Sequence, residues 1–200
     1  MNKIEIKNCV LLSGYKARAF FIDNLPLEEY INEWLLEKTE LLQSISPVCE
    51  LAICWTDDYD YEGDAKFMRF LLNQNKVITP ILSCPDDFDF SCILIVADIV
   101  RENHKVIWKR IGQVNHAGES FEEEKRSGIL YGGHDVLCDP GSPEFQKWVS
   151  EHWTEELYLR RINYTFPYYQ NENNIEWFAT CNFEFDEKEY DALIESCYHH

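Results

Sequence analysis

The chain has 200 residues and a net charge of −18, from 36 acidic and 18 basic side chains, and 46% of its residues are hydrophobic. That apolar share is too high for a disordered chain, so the mean hydropathy of −0.37 describes a charged surface around the core of a single domain. A field of this sign repels DNA, RNA and anionic membrane and attracts cationic proteins, and no apolar run approaches the length of a membrane span.

Ile4 and Ile6 alternate with Lys3, Glu5 and Lys7, Ser13-Gly14 marks a turn, and Ala17 to Ile22 leads back, which predicts two strands. Met1 to Glu5 holds no long apolar segment, so no signal peptide is expected. Pro26, Glu28 and Glu29 predict a helix start: proline suits the first turn and acids suit the positive end of the helix dipole. Leu27, Tyr30, Ile31, Trp34, Leu35, Leu41 and Leu42 carry the apolar stripe, with Lys38 breaking it and Ser46-Pro47 ending the helix. Val48 to Trp55 reads as a buried strand that runs into the acid-rich stretch Thr56 to Asp64. A short helix follows through Phe67, Met68, Phe70, Leu71 and Leu72. Val77 to Leu82 is an edge-like strand broken by Pro80, and Pro85 to Asp89 an acidic turn.

Cys92 to Ala97 is the most unbroken apolar run, rich in β-branched residues, and predicts a strand covered on both faces. Beyond the polar turn Glu102-Asn103-His104 the chain returns as Lys105 to Ile111. A hairpin follows, with Asn103 at a left-handed position. Between Asn115 and Gly141 the pattern weakens. Ile129 to Tyr131 is a short strand candidate between acids and the turn residues Gly132 to Asp135. Ser142-Pro143-Glu144 starts a helix that reaches Arg160 or Arg161. Ile175, Trp177, Ala179, Cys181, Phe183 and Phe185 alternate with polar residues, Phe178 excepted, as a half-solvated strand would. Asp186 and Glu189 form a capping box for a last helix through Tyr190, Leu193 and Ile194. About eight strands and four helices, without strict βαβ alternation, predict one α+β domain over residues 1–200. In it about four helices pack on a mixed or mainly antiparallel sheet.

Cysteines stand at 9, 49, 54, 84, 92, 138, 181 and 197, with no CxxC pair, and are expected to be free thiols in a reducing cytoplasm. Asp58, Asp60, Glu62, Gly63 and Asp64 resemble the first half of a calcium loop, but Arg69 stands where its twelfth-position acid is required. His134, Asp135 and Cys138 lack a second pair of zinc ligands, and no glycine-rich phosphate loop is present. No metal or cofactor is therefore expected. Cys138 and His134 leave one enzymatic alternative, a nucleophile and base on the loop from Gly132 to Cys138. Lys109-Arg110, Lys125-Arg126 and Arg160-Arg161 are read as ion-pair partners rather than a nucleic-acid stripe.

Three acidic clusters fall in predicted turns: Asp57, Asp58, Asp60 and Glu62 with Tyr59 and Tyr61; Asp86, Asp87 and Asp89 beside Phe88; and Glu122, Glu123 and Glu124. Carboxylates that speed encounter, beside aromatics that anchor, are what a binder of a basic protein presents. With Trp55-Thr56-Asp57-Asp58 after a buried strand and acid-rich turns on an α+β chain, the sequence resembles the small acidic immunity proteins of bacterial polymorphic and contact-dependent toxin systems. That resemblance implies a non-enzymatic cytosolic protein that binds a cognate toxin domain, often a basic nuclease, and blocks it. A further alternative is an inhibitor that mimics DNA through its surface carboxylates.

Overall fold

A computed structural model describes residues 1–10, 16–36, 51–55, 68–69, 71–83, 94–115 and 170–198. In chain order these hold β1 (Ile4–Val10), β2 (Lys16–Ile22), β3 (Leu25–Pro26), α1 (Leu27–Leu36), β4 (Ala52–Ile53), β5 (Lys76–Ser83), β6 (Leu94–Glu102), β7 (Lys105–Val114), β8 (Ile175–Asp186) and α2 (Glu187–Ser196). A 3-10 turn, Glu172–Asn174, leads into β8. Met68, Arg69, Leu71 and Leu72 are also helical, whereas the helix expected from Ser142 to Arg161 lies outside the described residues. No helix among the described residues is long and apolar enough to cross a membrane.

The strands form two sheets rather than the one expected, in the orders β1-β2-β3 and β4-β5-β6-β7-β8, and every pairing among the described residues is antiparallel. The separate small sheet originates at Asp23-Asn24. Both residues have positive φ, 51° and 68°, so Leu25 folds back onto Ile22 across a two-residue turn. Asp23 Oδ1 accepts from Lys3 N at 2.8 Å and Oδ2 from Asn2 Nδ2 at 2.6 Å, which ties that turn to the start of β1. Pro26 thus ends a strand, and the helix begins one residue later at Leu27.

The central hairpin is as expected. Leu94 to Val100 are buried, and Asn103 and His104 sit at φ 52° and 60°, a turn whose twist matches the flanking strands. Next to it, β5 is continuous across Pro80, because Ile78 and Pro80 turn their backbone groups away from β6 and the proline deprives that ladder of no donor. A register shift follows between Pro80 and Leu82. Its outer side is closed piecewise. The Gln170 side chain accepts from Ile78 N at 3.0 Å and donates to Ile78 O at 2.5 Å, as a neighbouring strand would. Trp55 Nε1 donates to Pro80 O at 2.9 Å, Cys54 N to Ile81 O at 3.1 Å, and β4 pairs only with Leu82 and Ser83. The strand expected over Val48 to Trp55 is therefore only Ala52–Ile53 in the described residues, turning at Cys54 and Trp55 to serve these bonds.

β8 departs from strict alternation at two register shifts against β7, and Asn182 at φ 49° lies at one of them. Each shift moves the side chains that follow to the opposite face. Phe178, the exception to the alternation, is consequently buried while Trp177 is half-buried. α2 starts as predicted: Asp186 Oδ1 accepts from Lys188 N at 3.0 Å and Glu189 N at 3.1 Å. Between the sheets and helices lies an aromatic core in which Phe20, Trp55, Trp108, Phe185 and Tyr190 meet mostly edge to face. Within it Trp108 Nε1 donates to Tyr190 Oη at 2.9 Å. Cys54, Cys181 and Cys197 are not in disulfides.

Candidate functional site

The acids and tyrosines expected to bind a partner, Asp57 to Glu62, Asp86, Asp87, Asp89 and Glu122 to Glu124, lie outside the described residues, as does the loop from Gly132 to Cys138. The strands that lead into those segments are described, and the ends that carry two of them converge. Ala52 pairs with Ser83 and Ser83 with Leu94, at the same end of the five-stranded sheet where Val114 pairs with Ile175. Ser83 leads into the segment with Asp86, Asp87 and Asp89, Leu94 receives it, and Asn115 leads toward Glu122, Glu123 and Glu124. Trp55, held at Pro80, leads into Asp57 and its neighbours from midway along β5, because β4 runs away from that end. β4 and β7 stand three strand spacings apart, about 14 Å. The attachment points of two acidic segments, the one between Ser83 and Leu94 and the one after Asn115, therefore lie at one end of one sheet.

The described scaffold pairs some of its own charges. Glu5 takes Lys3 and Lys7 at 2.9 Å each, Lys105 meets Glu184 at 2.6 Å, and Arg101 meets Glu187 at 3.4 Å and Asp191 at 2.8 Å. Hydrogen bonds from Lys7 and Lys3 hold the Glu5 carboxyl below its usual range, and Lys105 does the same to Glu184. Most of the −18 charge falls outside the described residues.

A second polar cluster lies on the five-stranded sheet itself. Asp98 on β6 is opposite Arg110 on β7, and its Oδ2 accepts from Arg110 Nη2 at 2.6 Å and Nε at 3.1 Å. Arg110 Nη1 donates to Glu172 Oε2 at 3.0 Å, and its guanidinium lies 4.2 Å from the Trp177 ring centre. Gly112 makes that stacking possible, since a Cβ there would stand 2.5 Å from Glu176 O and 3.0 Å from Trp177 Cα. The hydrogen bond to Glu172, with that to Asp98 adding to it, raises the Arg110 pKa, while Arg110 lowers that of Glu172. The reading of Arg110 as an ion-pair partner thus holds. Asp98 Oδ1 is buried without a hydrogen-bond partner among the described residues. The sequence signal for this cluster was an aspartate inside an apolar run facing an arginine across a two-residue turn.

Among the described residues no group of three His, Cys, Asp or Glu side chains is placed to hold a metal ion. No protein-family model matches the chain, and neither a curated protein nor a solved structure is significantly similar to it.

Proposed function

We propose that this protein is a non-enzymatic cytosolic immunity protein that binds and neutralises a cationic toxin domain, such as a basic nuclease. The observation that supports this reading most is the meeting of two acid-bearing segments, the one between Ser83 and Leu94 and the one after Asn115, at one end of the five-stranded sheet, beside a scaffold that pairs some of its own charges. Carboxylates carried from neighbouring strand ends add their fields over a distance comparable to the Debye length, about 8–10 Å, so they attract a polycation jointly. Tyr59, Tyr61 and Phe88 supply aromatic area for contact once the partner has arrived.

The test is a pull-down from the source cell with the full chain, followed by co-expression. The expected partner carries a basic domain that arrests growth when produced alone and does not when produced with this chain. Simultaneous Asp57→Lys, Asp58→Lys and Asp60→Lys substitutions should slow association by about tenfold or more, and rising salt should weaken it. A captured toxin whose affinity ignores both the substitutions and salt would rule these acids out as its recognition surface.

A further inference from the structure

We draw no further inference here: the strongest candidate, the side-chain cluster of Asp98, Arg110 and Glu172 on the face of the five-stranded sheet, is closed by its own ion pairs, and nothing in the structure shows what would reach the one buried carboxylate oxygen of Asp98 left without a hydrogen-bond partner among the described residues.

Discussion

Gly112 is the residue at which one side chain matters most to the sheet. An added Cβ would meet the β8 backbone at 2.5 Å, closer than such atoms approach, so β7 and β8 would have to part. Gly112→Ala should therefore destabilise the fold by about 2 kcal/mol, the usual scale of overpacking, as read from the urea midpoint. An unchanged midpoint would contradict the close approach. Glu28, in the first turn of α1, makes a different prediction. Burial, helped by repulsion from Glu29, pushes its pKa from 4.5 up to about 7. Between those values the folded chain holds a proton that the unfolded chain has lost, so the contribution to stability is present at low pH and fades as pH rises through that window. Glu28→Gln should remove that part of the pH slope and be more stable than wild type above pH ~7, by on the order of 1 kcal/mol after discounting for partial exposure. Parallel pH profiles for the two proteins would contradict it. Neither feature is legible in the sequence. A glycine in a strand and a glutamate in a first helical turn are ordinary until the neighbouring strand and the covering side chains are placed.

At the scale of elements, local chemistry was the most readable part. Asn103 announced the β6–β7 turn, and Asp186 with Glu189 announced the start of α2. Asp23-Asn24 carried the same kind of signal, but Pro26 and two glutamates made the segment read as a helix start, so β3 and the second sheet were missed. The run around Pro80 was read as broken for a similar reason. Its continuity depends on Trp55 and Gln170, which are distant in sequence and supply the bonds that a neighbouring strand would otherwise make. His104 gives this level its test. At φ 60° a histidine is strained where glycine is not. His104→Gly should therefore stabilise the protein by about 0.5–1 kcal/mol, or roughly 2 °C in Tm, net of the entropy glycine adds to the unfolded chain. A lower Tm would show that the turn is not of this type. The contact of His104 Nδ1 with Glu187 Oε2 is long at 3.7 Å and the histidine side chain is exposed, so its loss should matter little.

For the whole molecule, composition alone conveyed the charge and the α+β class, since both follow from residue counts and patterning. The meeting of Ser83, Leu94 and Val114 at one end of a sheet was not legible, because register shifts and strand order decide it and neither is written locally. That meeting is what turns acids far apart in the chain into candidates for a shared docking face. Hydrogen exchange of the full chain, free and bound to the captured basic partner, tests this most directly. Backbone amides at 57–62, 86–89 and 122–124 should slow together on binding, while those of β6 and β7 stay as they were. Protection confined to one cluster, or absent from all three, would contradict a common acidic docking face.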